Sequence, residues 1–312
     1  MTPRPIIIDT DPGTDDAVAI WLALASPELE VLGITAVAGN VPLALTERNA
    51  RQLCELAGRP EMKVFAGCAR PLLRPLVTAE AFHGETGLGA ADLPQPTMPL
   101  QADHAVDWLV DTLMAAADGE ITLCPIGPLT NIAMAIVKEP RILPKIQEVV
   151  LMGGGFFAGG NITPAAEFNI YCDPHAADVV FSSGVKLTMM PLDVTHQART
   201  TRDRIAAVRA LGTPVGVAAA AMMASHGKHE EEDRDQDGGP LHDPCVIAYL
   251  LAPDLFSGRP CHVHVETSSE VTMGMTVVDW WGVTERPKNC TVMNRIDADG
   301  FFALLIERLA KL

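Results

Sequence analysis

Apolar and polar positions follow two rhythms along the first two thirds of this chain. Short apolar, often β-branched runs at 5–9 ("PIIID"), 30–39, 63–67, 120–127, 148–154 and 186–193 predict strands. The stretches between them, at 15–25, 44–57, 101–117, 129–138 and 174–183, carry helical spacing. Strands and helices in alternation predict βαβ units, and strands with so few polar positions predict burial on both faces. The expected fold class is therefore α/β, one domain over 1–312 with a mostly parallel, doubly covered central sheet.

Local signals mark several boundaries. Asp173-Pro174 and Asp243-Pro244 each read as an N-cap followed by a first-turn proline. The last stretch predicts strands at 261–266, 276–282 and 290–297, then a closing helix at 300–310. No repeat, linker or composition break divides the chain. The acidic run 229–239 ("HEEEDRDQDGG") is the expected flexible segment.

Composition narrows the function classes. The hydrophobic content of 48% supports a well-buried core. A net charge of -16 argues against nucleic-acid binding, which needs a basic face. The start "MTPRPIIIDT" has no export-signal pattern, and the apolar run 215–225 is too short to span a bilayer. The seven cysteines are scattered, odd in number and never spaced C-x-x-C, as in a reduced, cytoplasmic protein.

The chemistry concentrates in "IIIDTDPGTDDA" at 6–17, where a strand runs into Asp9, Asp11, Asp15 and Asp16. Acids in a helix's first turn are stabilised by its dipole, which accounts for Asp15 or Asp16 alone. Asp9 and Asp11 precede the turn, and so many carboxylates at a strand's carboxyl end point to a hard cation. Such a cation takes oxygens from more than one loop, and Asp243 in "HDP" is a further candidate, although for an isolated Asp-Pro capping is the preferred reading. In "NITPAAEFNIYCDP", Asn161, Glu167 and Asn169 suit hydroxyl recognition, or else hydrogen-bond irregular backbone.

Three other motifs were weighed. An EF-hand loop counted from Asp9 puts Thr14 where glycine is needed and Ile20 where an acid is needed, so it fails. A D-x-D phosphohydrolase of the haloacid-dehalogenase type usually has Thr or Val where Gly13 stands, which weakens that match without removing it. "GGGFFA" at 153–158 fits G-x-G-x-x-A, but the turn-forming "GGNITP" follows it instead of a helix.

Taken together, the segments resemble the inosine-uridine-preferring nucleoside hydrolases. "DTDPGTDDA" is similar to the family's D-x-D-P-G-x-D-D signature. "AVAGN" (36–40), "RNA" (48–50), "HGETGLG" (83–89), "IGPLTNIA" (126–133), "LMGGG" (151–155), "AEFN" (166–169) and "HDP" (242–244) follow in order. The resemblance implies hydrolysis of the N-glycosidic bond of ribonucleosides, a Ca2+ cofactor and a homodimer or homotetramer. It implies metal ligation by Asp11, Asp16 and Asp243 and by the carbonyl of Ile126. Asp15 and Asn169 would grip the ribose 2′- and 3′-hydroxyls, and Asn161 and Glu167 the 5′-hydroxyl. Asn40 and Met152 would line the ribose pocket, and Asp9 would be a support. Asp11 would be the general base and His242 the acid at the departing base. His83 points toward the inosine-uridine or pyrimidine branch. The segment before "HDP" lacks the tyrosines often found over the base, leaving His226 or His229 for that work, or no residue at all. A metal-dependent phosphohydrolase and a non-catalytic nucleoside- or ribose-binding protein are the alternatives.

Overall fold

The computed structural model describes residues 2–234 and 238–312, the side chains of 226–234 excepted. The first half contains β1 (Arg4–Thr10), α1 (Thr14–Leu24), β2 (Leu29–Ala36), α2 (Leu43–Leu56), β3 (Val64–Ala66), α3 (Glu80–His83), α4 (Ala105–Ala115), β4 (Ile121–Pro125), α5 (Thr130–Lys138) and β5 (Ile146–Met152). There follow α6 (Phe168–Cys172), α7 (Pro174–Phe181), β6 (Leu187–Met190), α8 (Leu192–Thr195), α9 (Arg202–Arg209) and α10 (Pro214–Arg234). The chain closes with α11 (Pro244–Leu251), β7 (Phe256–Cys261), β8 (Val263–Val265), β9 (Thr276–Val278), β10 (Cys290–Ile296) and α12 (Ala298–Leu309).

The main sheet has eight strands in the order β3-β2-β1-β4-β5-β6-β10-β7, and β8 pairs with β9 in a small separate ribbon. Neighbours in the main sheet run parallel except β10 and β7. Both faces are covered. Ile6 and Ile8 of β1 pack into one core with α1, α11 and α12, while Ile7 packs into another with α4, α5 and α7. The expected mostly parallel, doubly covered α/β sheet is what forms.

Topology fixes where a ligand belongs. From β1 the chain moves outward through β2 and β3, then returns to place β4 on the other side of β1. Strand order reverses there, and in open α/β sheets the crevice beyond the carboxyl ends of such strands is the ligand site. Helix α1 leads out of this point and is buried along its whole length, acids included. Its Trp21 donates an indole N–H to the Leu53 carbonyl at 3.0 Å, locking α1 to α2. The first turn of α1 is therefore held rigidly beneath the crevice.

Several boundaries differ from the sequence reading, for one physical reason. The apolar runs at 30–39, 120–127, 148–154 and 186–193 outlast their strands, which stop at Ala36, Pro125, Met152 and Met190. The residues left over leave the ladder and are mostly buried, so they stay largely apolar without being strand. The run 261–266 is likewise split between β7 and β8. Strand β7 was not anticipated: it is an antiparallel edge containing Gly258 and Pro260, and proline is tolerated in a sheet chiefly at such an edge. The acidic run expected to be flexible continues α10 as far as Arg234. Residues 235–237, and the side chains of His226 and His229, lie outside the described residues. Among the described residues, no helix is long and apolar enough to cross a membrane.

Candidate active site

Beyond β1 the chain turns through Pro12-Gly13 into α1, and each acid of the cluster meets a different environment. Asp9, still in β1, faces the scaffold. Its Oδ1 accepts from the Thr35 hydroxyl at 2.5 Å and from the Asn131 amide at 2.8 Å. Burial lifts its carboxyl to about 7 in spite of those two bonds.

Asp16 caps its own helix. Its Oδ2 accepts the Gly13 N–H at 2.9 Å and the Asn40 side-chain amide at 3.2 Å, and its Oδ1 accepts the Thr10 hydroxyl at 2.5 Å. Asp11 is less satisfied. Its Oδ2 accepts the Asn40 backbone N–H at 2.6 Å, while its Oδ1 is buried with no hydrogen-bond partner. Burial, then the charge of Asp16, then that of Asp15 hold the Asp11 carboxyl well above the usual range.

The "HDP" segment arrives from the far end of the chain. Asp243 occupies the N-cap position of α11 but makes no side-chain capping bond. Asp173 shows what a cap looks like here, accepting the Ala176 N–H of α7 at 3.1 Å. The Asp243 carboxyl instead turns to the cluster. Burial and the charges of Asp15, Asp16 and Asp11, in that order, raise it well above its ordinary value. Carboxyl oxygens of Asp15, Asp16 and Asp243 lie within 4.8 Å of one another, and all three residues are buried. The structure thus brings Asp15 into the closest group, where the sequence reading had Asp11 beside Asp16 and Asp243.

Buried like charges are costly unless a cation or protons neutralise them. Among the described residues, the largest charges acting on this cluster are those of its own members and, at Asp16, of His83. An orphaned carboxylate oxygen, an uncapping aspartate and an all-oxygen donor set fit a hard divalent cation. The Ile126 carbonyl, just past β4, is also in the crevice: it accepts the Asn169 side-chain amide at 3.0 Å and keeps a second lone pair.

The remaining predicted residues sort clearly. Asn169 Nδ2 also lies 3.3 Å from the Met152 carbonyl and 3.4 Å from its sulfur, so Asn169, Met152 and Ile126 form one wall. Glu167 caps α6: its Oε1 accepts the Asn169 N–H at 2.8 Å, and its Oε2 the Gly154 N–H at 2.8 Å and the Ile170 N–H at 3.1 Å. Burial raises its carboxyl to about 7 against these bonds. Asn161 is exposed and accepts the Phe168 N–H at 2.9 Å. Both residues thus do the ordinary backbone work that the sequence left open. His83 is buried, and its Nδ1 accepts the Thr14 N–H at 3.2 Å, which sets the ring against the turn before α1. His242 is buried too, with Nδ1 2.7 Å from the Thr195 hydroxyl.

Sequence reasoning gave no role to Thr10, Thr35, Asn49, Asn131 or Thr195. Asn49 donates to the Pro12 carbonyl at 3.1 Å and to the Thr86 carbonyl at 2.7 Å, tying the acidic turn to the His83 loop. A signal for Asn131 was present: it is an amide inside the apolar stretch of α5, and buried amides are placed for their bonds, whereas Asn49 shares its buried face with Thr46 and Gln52.

Residues 6–303 match the family described as inosine-uridine preferring nucleoside hydrolase. An uncharacterized protein of Schizosaccharomyces pombe is 52% identical, with 98% of this chain and 99% of that one covered. The pyrimidine-specific ribonucleoside hydrolase RihA of Shewanella sp. is 47% identical, over 98% of this chain and 96% of that protein. The solved structure of a purine-preferring ribonucleoside hydrolase from Gardnerella vaginalis superposes with a TM-score of 0.91 at 34% identity, covering 98% of each chain. With the acidic crevice at the β1/β4 switch point and the matched signature running along the whole sheet, the chain belongs to the inosine-uridine preferring nucleoside hydrolase family.

Proposed function

We propose that this member of the family hydrolyses pyrimidine ribonucleosides, uridine foremost, to ribose and free base with a calcium ion in the acidic crevice. The observation that carries the reading is the buried meeting of Asp15, Asp16 and Asp243 beside the orphaned Asp11 Oδ1. Asp11, Asp16, Asp243 and the Ile126 carbonyl would hold the ion. When bound, it supplies the charge that offsets these carboxylates, orients the ribose diol and makes a neighbouring water more acidic.

The chain's own residues supply the rest. Breaking the C–N bond leaves positive charge on the sugar ring, which the fixed carboxylates and amides around it stabilise. Asp15 and Asn169 hold the 2′- and 3′-hydroxyls. Asn40 and Met152 shape the ribose wall. Glu167 fixes Asn169 through its backbone N–H, and with Asn161 edges the 5′ end. Asp11 accepts the proton of the attacking water at Oδ1. His242 hands a proton to the departing base, and His83 lies along that base. The 47% identity to a pyrimidine-specific relative supports the base preference. The seven unpaired cysteines support a cytoplasmic protein, and the exposed Phe157, Trp281 and Val283 support a homo-oligomer.

The test is direct. Purified protein with calcium is incubated with uridine, cytidine, inosine or adenosine, and free ribose and base are measured. Release from uridine and cytidine ahead of the purines is expected. Phosphate release from a monoester, with no ribose from any nucleoside, would replace this reading with the phosphohydrolase.

Gly39 provides a check on Asp11. A Cβ there would stand 2.0 Å from Asp11 Oδ2, too close for any rotamer shift of the alanine itself to relieve. Gly39→Ala is expected to displace the carboxylate and lower kcat on uridine by about a hundredfold, with the fold retained by circular dichroism. Wild-type kcat in this variant would show that Asp11 does not need its observed position.

A further inference from the structure

The Thr195 hydroxyl has no solvent to bond to, because the residue is fully buried. A threonine at the end of a helical turn ordinarily bonds back to a carbonyl of that turn. This one instead meets His242 Nδ1 at 2.7 Å, across 47 residues of chain. The helix that carries it is a single turn, yet it is anchored at several points. Leu192 N–H donates to the Gly154 carbonyl at 2.8 Å. The Asp193 carboxylate accepts the N–H groups of Phe156 and Phe157 at 2.8 Å and of Ala158 at 2.9 Å. Just past the helix, the Gln197 amide bonds the Asp193 carbonyl at 2.7 Å and the Asn294 carbonyl at 2.8 Å. The glycine-rich segment after β5, which matched no cofactor motif in context, thus serves as the footing for α8. The next residue, His196, lies edge-on to the His242 ring, with centroids 5.8 Å apart.

We propose that Thr195 is the positioning residue of His242: its hydroxyl, held by the braced turn α8, engages Nδ1 and so commits Nε2 to the departing base. This rests on the assignment of His242 as the acid of the reaction. In the step itself the charged ring gives its Nε2 proton to the base while the C–N electron pair moves onto that base. The ring is left neutral with its proton on Nδ1, which the Thr195 oxygen accepts. Without the hydroxyl, the ring turns more freely and either nitrogen carries the proton in the neutral form.

The experiment compares two substrates that differ in their need for an acid. The leaving base of uridine is the more basic and gains more from protonation, whereas 4-nitrophenyl riboside releases a stable phenolate. Thr195→Val removes the hydroxyl at nearly constant shape, and Thr195→Ser retains it. Should valine prevent folding, Thr195→Ala carries the same test. In the valine variant kcat on uridine is expected to fall about ten- to a hundredfold with KM little changed, a part of what acid catalysis supplies. The ratio of uridine to nitrophenyl rates should fall with it, and serine should restore that ratio to within about threefold. Equal losses on both substrates, or no rescue by serine, would make Thr195 a packing residue only. His242→Ala separates the two levels of the argument. A wild-type ratio in that variant overturns the acid assignment. A lowered ratio there beside a wild-type ratio in Thr195→Val overturns the positioning alone.

Discussion

Treatment with EDTA is expected to abolish ribose release from uridine, and added calcium to restore it. The physical ground is the mutual repulsion of the buried carboxylates of Asp11, Asp15, Asp16 and Asp243. The same repulsion gives a pH-dependent stability with a definite sign. Asp9, Asp11, Asp16, Glu167 and Asp243 all have carboxyls raised by burial. A carboxyl raised in the folded state binds its proton more tightly there than in the unfolded chain, so rising pH costs stability. For Asp9 and Glu167 the window runs from their ordinary values of 3.8 and 4.5 up to about 7. The metal-free protein should therefore lose melting temperature between about pH 4 and pH 7. On the proposed ligation, calcium would compete with protons for Asp11, Asp16 and Asp243, so the gap in Tm between loaded and stripped protein should widen as pH rises. Melting curves at several pH values, with and without EDTA, check both statements. A gap that stays flat or narrows toward neutral pH would exclude these residues as the ligands.

Asp11→Asn is the second large effect. Asparagine keeps the size and the acceptor for the Asn40 N–H but cannot take a proton from water. Turnover on uridine is expected to fall by about a thousandfold or more, since the base and a cation ligand are lost together. The metal-free variant should nonetheless melt higher than the metal-free parent at neutral pH, because a buried charge has been removed. Lower activity with higher apo stability separates a functional carboxylate from a structural one. A variant that is both active and unchanged in melting would remove Asp11 from the centre of the site.

Much of the fold was legible because its strands are buried on both faces, and long apolar runs are hard to misplace. What the runs did not show is where pairing stops, since the mostly buried residues beyond the strands are largely apolar too. The one-turn helices α3, α6 and α8 were invisible for a different reason: four or five residues carry no period. In the site, the acids were legible by their clustering and their order along the chain. Asp243 shows the limit of local reading. Its neighbours spell an N-cap, and only the packing of α11 against α1 shows the carboxylate turned elsewhere. Thr195 was beyond reach and Asn131, though visible as an amide in an apolar stretch, could not be given its partner, because those partners lie 47 and 122 residues away.

Asn49 has a consequence for how the enzyme handles its ligands. A single side chain grips one carbonyl in the acidic turn and one in the loop carrying His83. The two walls of the crevice therefore cannot loosen independently. Whatever stiffens one lowers the cost of ordering the other, so on the proposed assignment a cation at the turn and a nucleobase at the loop would be mutual effectors, each tightening the hold on its counterpart by the same factor.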